Sequence, residues 1–186
     1  MVWQLCERYS TVSPRKGRHL ICFMEKINSC SFFGHREISA TDALREAVRR
    51  EITAYINCGC KIFYFGGYGE FDRLCYETLT QIKESLALSD IKRIYCVTQE
   101  RYLRKRTRYF NPEDYDELVY LVPAFQGWYK SIYYRNLAMI DASDAVLFYA
   151  EARAESGAYK AYKYASKKKD KLVTNLFPPS ESPSAT

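Results

Sequence analysis

The chain has 186 residues, of which 47% are hydrophobic and 27% charged, and its formal net charge is +6. This length and composition predict one soluble globular domain with a full core. No run of 18 apolar residues suggests a membrane span, and residues 1–17 lack the apolar segment of a secretory signal.

Cysteine usage favours a reducing compartment. The seven cysteines are odd in number, none is in a Cys-x-x-Cys pair, and Cys58 and Cys60 are too close for an ordinary disulfide. The two histidines, His19 and His35, are too few to suggest a zinc site, so neither a metal nor a cofactor is predicted. We therefore expect a cytoplasmic protein, because the cytosol keeps thiols reduced.

The predicted domain covers residues 28–177. Residues 1–27 show no clear periodicity and are interpreted as an N-terminal extension, with Met24 as an alternative to Met1 for the start of translation. Residues 178–186 are rich in Ser and Pro and are predicted to be a disordered tail.

Hydrophobic periodicity predicts strands that alternate with helices. A strand at 30–33 precedes a helix over 42–57, for which Thr41 is the predicted N-cap. The next strand, 62–65, runs into a glycine turn and a helix over 71–86. Residues 99–117 are expected to form a charged excursion around a short helix. The remaining predicted strands are 91–97, 118–122, 145–149 and 172–176, and the remaining helices are 132–139 and 157–168.

The predicted strands carry continuous apolar runs, which are typical of a mainly parallel sheet with helices on both faces, an α/β fold. In such sheets, ligands bind beyond the carboxyl ends of the strands. Three polar or glycine-rich strand exits are then expected to face one crevice, namely 34–37, 66–69 and 151–157.

The turn Gly66-Gly67-Tyr68-Gly69 is the strongest local signal for a ligand. Glycines let backbone N–H groups approach a phosphate, and the following helix N-terminus favours an anion. The turn matches neither the dinucleotide-binding fingerprint nor the P-loop. An alternative is that the glycines only permit a tight backbone path.

Several charged and polar residues are candidates for the same site. Arg36 could clamp a phosphate or carboxylate with its planar guanidinium, or form a surface ion pair. His35 could hydrogen-bond a ligand or cap a turn. Asp72 could contact a ribose, act as an acid or base, or cap its helix. The other candidates are Gly34, Arg135, Asp144 and the second helix terminus at Ser156 and Gly157.

Two basic clusters account for the net positive charge. Five arginines and lysines between Arg101 and Arg108 are interleaved with tyrosines, a pattern that suits nucleic acid, although an acidic stretch at 113–117 cancels much of this charge. The lysines between Lys160 and Lys171 are interpreted as the solvated face of a helix.

Taken together, the motifs resemble the SLOG superfamily, most closely its YpsA/YspA-like branch, over roughly residues 28–177. The motifs are Phe33-Gly-His-Arg-Glu37, Gly66-Gly-Tyr-Gly-Glu-Phe-Asp72, Arg135-Asn-x-x-Met-Ile-Asp141, Ser143-Asp144, Ser156-Gly-Ala158 and Leu172-Val-Thr-Asn-Leu176. The resemblance implies a Rossmann-like fold and a site for nucleotides or molecules derived from them. Related domains include LOG-type phosphoribohydrolases, phage-defence sensors and the DNA-binding protein DprA.

One departure from the LOG-type pattern bears on catalysis. Where those enzymes carry Gly-Gly-x-Gly-Thr-x-Glu-Glu, this chain has Glu70 in place of the Thr, Asp72 in place of the first Glu and Arg73 in place of the second. We therefore expect a cytoplasmic nucleotide sensor or sequestering protein, with a role in phage defence or counter-defence, that binds its ligand without efficient turnover. Its expected ligand-binding residues are Gly34, His35, Arg36, Gly66, Gly67, Gly69, Phe71, Asp72, Arg135, Asp144, Ser156 and Gly157.

Two alternatives remain from the sequence. The first is a nucleotide N-glycosidase in which Asp72 or Glu37 acts as acid or base, and the second is a nucleic-acid-binding protein. No membrane partner is expected, and 27 Tyr and Phe residues leave scope for a homo-oligomer.

Overall fold

The computed structural model describes residues 26–98, 111–122, 128–152 and 156–178, and the statements below concern these residues. The predicted extension and alternative start at Met24, the basic cluster at 101–108 and nearly all of the tail lie outside them. The elements, in chain order, are β1 (Ser29–Gly34), α1 (Asp42–Asn57), β2 (Ile62–Phe65), α2 (Glu70–Ser85), β3 (Lys92–Cys96), a 3-10 turn (Pro112–Asp114), β4 (Glu117–Val119), α3 (Trp128–Asp141), β5 (Ala145–Tyr149), α4 (Gly157–Ala165) and β6 (Leu172–Asn175).

The six strands form one sheet in the order β4-β3-β2-β1-β5-β6. Every neighbouring pair in this sheet is parallel. From β1 the chain builds outward through β2 and β3 to β4, and then returns to the other side of β1 to add β5 and β6. The order of the strands therefore reverses between β1 and β5, which is where a Rossmann-like sheet opens a crevice for ligands.

Helices cover both faces of the sheet. Adjacent residues of a strand point to opposite faces, so each strand contributes side chains to the core on either side. Phe32 packs in the core beneath α1 and α2, where its ring stacks on Phe65 with centroids 5.0 Å apart. The next residue, Phe33, joins the core beneath α3 and α4 and stacks on Phe148 at 5.4 Å. The prediction of a mainly parallel α/β sheet with helices on both faces is thus confirmed.

The bounds of two elements differ clearly from the prediction, and the first is β4, which spans Glu117–Val119 rather than 118–122. β4 is the last strand at its edge and pairs only with β3, and this ladder ends at Val119, whose carbonyl accepts from the Val97 amide at 2.8 Å. The apolar run continues to Val122, but no partner strand accompanies it. α3 is longer than predicted, since it covers Trp128–Asp141 rather than 132–139.

Four cysteines are free and buried, namely Cys30, Cys60, Cys75 and Cys96. Burial raises the pKa of each of these thiols, to about 12 for Cys60 and Cys96, so they act as small core side chains rather than nucleophiles. Among the helices described here, none has the length and apolar character needed to cross a membrane.

Candidate functional site

The strand order brings three predicted strand exits to one edge of the sheet. β1 lies between β2 and β5, and all three strands run in the same direction. Gly34, which ends β1, therefore lies at the same edge as Gly66 and Ala150, which follow β2 and β5. The loops that begin there form the candidate site, at the point where the strand order reverses.

The glycine turn that follows β2 lies tightly against the exit of β1. Gly67 and Gly69 have φ values of 65° and 104°, in the left-handed region that favours glycine. A Cβ on Gly69 would lie 3.0 Å from the Cα of Arg36. The amide of Glu70 donates to the carbonyl of Arg36 at 2.8 Å, so hydrogen bonding as well as close packing joins the two exits.

Asp72 holds the glycine turn from one side. It is the third residue of α2, and its side chain points back toward the turn that precedes the helix. Its carboxylate accepts from the amide of Gly66 at 3.1 Å and from that of Gly67 at 2.9 Å. Two of the amides that the sequence assigned to a phosphate are therefore bound to a carboxylate of the protein itself.

Arg135, on α3, holds the same turn from the other side. Its Nη1 donates to the carbonyl of Gly66 at 2.7 Å, while Nε and Nη2 donate to Oδ1 of Asn136 at 3.2 and 3.0 Å. A Cβ on Gly66 would lie 2.8 Å from Nη2, so any other residue there would require the guanidinium to shift. The N–H of Gly66 is thus bound to the carboxylate of Asp72, and its C=O is bound to the guanidinium of Arg135.

The carboxyl group of Asp72 is buried, with 6% of the residue exposed. Burial is the largest cause that shifts its pKa, from 3.8 to about 6, because removing water disfavours the charged form. The amides of the turn and the charge of Arg135 lower the pKa and offset part of this increase. Asp72 is therefore ionised at neutral pH and titrates near pH 6.

Arg36 and Tyr68 form the exposed rim of the site. The guanidinium carbon of Arg36 lies 4.5 Å from the centroid of the Tyr68 ring, a cation–π contact. Tyr68 is 38% exposed, and both Arg36 and Glu37 are exposed as well. An exposed cation and a partly exposed aromatic ring that it contacts thus lie beside the glycine turn.

His35 connects the exit of β1 to that of β5. Its Nε2 accepts from the amide of Glu151 at 2.9 Å, and its Nδ1 lies 3.4 Å from Oγ of Ser156. Ser156 is the N-cap of α4, where its Oγ also accepts from the amide of Tyr159 at 3.3 Å. His35 and Ser156 are therefore brought together, and both are engaged in bonds that order the loops of the crevice.

Two further predicted site residues pack in the interior. Phe71 is fully buried and stacks on Tyr149, with ring centroids 5.7 Å apart. A Cβ on Gly34 would overlap the side chain of Phe71, so the glycine lets α2 approach the end of β1. Gly157 differs, because it is exposed and a Cβ there would meet nothing within 4 Å.

Asp144 lies at the opposite edge of the sheet. It precedes β5, and its Oδ2 accepts from the amides of Asn28 and Ser29 at 2.8 and 3.1 Å, before and at the start of β1. These are the amino ends of parallel strands, whereas the glycine turn follows a carboxyl end. The structure therefore does not bring Asp144 together with the other predicted residues.

Sequence reasoning missed one exposed residue of the rim, Tyr68, although its place between glycines of the turn was a usable signal. Within the described ranges, no group of three or more His, Cys, Asp or Glu side chains is placed to hold a metal ion. No protein-family model matches the chain, and a search of curated proteins finds no relative.

Proposed function

We propose that this protein binds a nucleotide, or a signalling molecule derived from one, at the carboxyl edge of its sheet and does not turn it over efficiently. The observation that carries the proposal is the glycine turn at the exit of β2, which Asp72 and Arg135 hold on both sides next to the reversal of strand order. A turn fixed in this way needs no further ordering when a ligand binds beside it.

Arg36 supports an anionic ligand. It is exposed at the rim, and its backbone is fixed against Gly69 and Glu70. A guanidinium in this place can pair with two phosphate oxygens. The adjacent ring of Tyr68 offers a surface on which a base can stack, which favours a nucleotide over a simple sugar phosphate.

The environment of Asp72 supports binding rather than catalysis. A general acid or base must come within hydrogen-bonding reach of the proton that it transfers. Both carboxylate oxygens of Asp72 accept from amides of the turn, and the side chain is buried. The other acid considered for a glycosidase, Glu37, is exposed.

The resemblance to the SLOG superfamily supports the same ligand class. A sensor or sequestering protein in phage defence or counter-defence, in the cytoplasm, is the corresponding biological proposal. Such a role requires the protein to bind and release the ligand but not to convert it.

A thermal-shift screen against AMP, cyclic nucleotides and ADP-ribose tests the proposal. A ligand at 100 times its Kd adds about 2.7 kcal/mol of stability, which corresponds to a rise in Tm of about 5–11 °C for a chain of this size. Arg36→Ala should weaken the binding of any ligand found by about 1.5–3 kcal/mol, the usual value for a charge-assisted hydrogen bond. Arg50→Ala, at an exposed arginine on α1, is the matched control.

The same samples distinguish binding from turnover when they are chromatographed for free base. Binding with intact nucleotide supports the proposal. Rapid release of base from AMP, abolished by Asp72→Asn, would favour the glycosidase. The absence of both a Tm shift and calorimetric heat across the panel would refute the proposed function.

A further inference from the structure

We propose that Asp72 is a positioning residue whose ionised carboxylate sets the glycine turn for the ligand and does not itself touch it. This inference rests on the proposed function, and it replaces the expected contact between Asp72 and a ribose. It also means that the amides of Gly66 and Gly67 do not bind the ligand, because both already donate to Asp72.

The geometry assigns a separate task to each group around the turn. Asp72 accepts from two successive amides, at 3.1 and 2.9 Å, which fixes the orientation of both peptides. Arg135 donates to the carbonyl of Gly66 at 2.7 Å and thereby prevents that peptide from rotating. Arg36 remains exposed on the outer side of the turn, where a ligand phosphate can reach it.

The hydrogen bonds of the turn require the ionised form of Asp72. A carboxylate has acceptor sites on both oxygens, whereas a protonated carboxyl carries one O–H donor. In the protonated group, one oxygen would therefore present a proton near an amide that needs an acceptor. An asparagine has the same fault at every pH, because its NH₂ group replaces one of the two oxygens.

Few other groups near Asp72 can change charge between pH 5 and 8. Arg135, from α3, keeps its charge, while Cys75 from α2 and Cys96 from β3 have pKa values raised by burial and remain neutral. Tyr115, which precedes β4, is held neutral in the same way. His35 lies at the next strand exit, so a comparison with Asp72→Asn is needed to isolate the effect of Asp72.

The test follows the amide resonances of the turn in the full chain, labelled with ¹⁵N and without ligand, from pH 5 to 8. In the wild type, the resonances of Gly66 and Gly67 should move together with a midpoint near pH 6, and in Asp72→Asn this transition should be absent. Gly59, at the end of α1, serves as an internal reference. Amides of Gly66 and Gly67 that ignore pH, or that titrate equally in both proteins, would overturn the inference.

Asp144→Asn is the matched control variant. Asp144 also accepts from two successive backbone amides, but it does so at the opposite edge of the sheet. The glycine transition should persist in this variant. If Asp72→Asn does not fold, the ¹³C resonance of the Asp72 carboxyl in the wild type should give the same midpoint as the two glycine amides, and a different midpoint would overturn the inference.

Calorimetry with ADP-ribose connects the turn to binding. ADP-ribose is a suitable probe because it lacks a phosphate monoester, whose second ionisation near pH 6 would obscure that of Asp72. Its affinity should be up to about tenfold higher at pH 7.5 than at pH 5, because a carboxyl that titrates near pH 6 is mostly protonated at pH 5, and Asp72→Asn should bind weakly at both. Equal wild-type affinity at the two pH values would overturn the link between ionisation and binding.

The two proposals fail in different ways. If ADP-ribose and the rest of the nucleotide panel do not bind at any pH, the proposed function fails. The amide titration still shows whether Asp72 sets the turn. If nucleotides bind but the amides of the turn do not titrate, the proposed function stands and the positioning role of Asp72 is refuted.

Discussion

Asp72 combines two effects that normally exclude each other in a folded protein. Burial disfavours the charged form of its carboxyl group, while the amides of Gly66 and Gly67 donate hydrogen bonds to that group and favour the charged form. A residue selected only for stability at this position would not need to ionise, since burying a charge is costly. The balance resembles the exchange of stability for function that is common at binding sites.

This balance predicts how stability depends on pH. The folded pKa of Asp72, about 6, lies above its ordinary value of 3.8, so between these values the folded state binds more protons than the unfolded state. Its contribution to stability is therefore present below the unfolded pKa and is lost as pH rises through 6. From pH 7.5 down to pH 5, the free energy of unfolding should increase by about 1.4 kcal/mol through this group alone.

The measurement is a series of urea unfolding curves for the wild type and Asp72→Asn. Acids whose folded pKa is lowered, such as Asp116 and Asp141, oppose this trend, but they are present in both proteins and cancel in the difference. The difference between the two free energies should change by about 1.4 kcal/mol across this range. A difference that stays constant would show that Asp72 does not titrate there.

At the scale of the elements, local patterns predicted the structure well wherever packing agreed with them. The helix predicted over 42–57 is α1 itself, because Leu44, Val48 and Ile52 form a buried stripe and the hydroxyl of Thr41 accepts from the amide of Leu44. The predicted strands at 62–65 and 145–149 also coincide with β2 and β5. In each case the local sequence pattern was sufficient, because predicting the bounds of these elements required no knowledge of contacts with distant residues.

Contacts between distant parts of the chain decided the rest. The bond from Arg135 to Gly66 joins residues 69 positions apart, and no local pattern reveals it. The place of Asp144 could have been deduced, because a residue that precedes a parallel strand lies at the edge away from the strand exits. The role of Gly34 depends on how closely α2 approaches the end of β1, which only the packed structure shows.

Gly34 gives a direct test of that approach. In Gly34→Ala the new methyl group would overlap Phe71, which is buried and cannot move away freely. Overpacking of this kind costs about 1–3 kcal/mol, and urea unfolding should show a loss of that size. Gly157→Ala is the matched control, since the space around its Cβ is open and its stability should be unchanged or slightly higher. Equal stability of Gly34→Ala and the wild type would contradict the close packing.

At the scale of the whole molecule, two features point to different ligands. The reversal of strand order concentrates Arg36, Tyr68 and the glycine turn at one crevice, which fits a small molecule. The net charge of +6 attracts any polyanion, and exposed lysines such as Lys163 and Lys167 extend along and beyond α4. The dependence of affinity on salt distinguishes these two modes of binding, because each contact between a phosphate of a polyanion and the protein releases counterions.

The proposed function predicts that ADP-ribose loses at most about sevenfold in affinity when salt is raised from 50 to 200 mM, while a single-stranded RNA of 20 nucleotides loses roughly 300-fold. With a slope of 0.7 per phosphate contact, two contacts lose roughly sevenfold over this range and six contacts lose roughly 300-fold. Calorimetry for ADP-ribose and fluorescence anisotropy for the RNA give the two slopes. Arg36→Ala should weaken ADP-ribose without changing the RNA slope by more than one contact, since diffuse charge rather than the crevice holds the RNA. If RNA at 200 mM salt instead bound more tightly than ADP-ribose, and replacing the arginines at 101–108 abolished it, nucleic acid would be the ligand and the crevice would need another explanation.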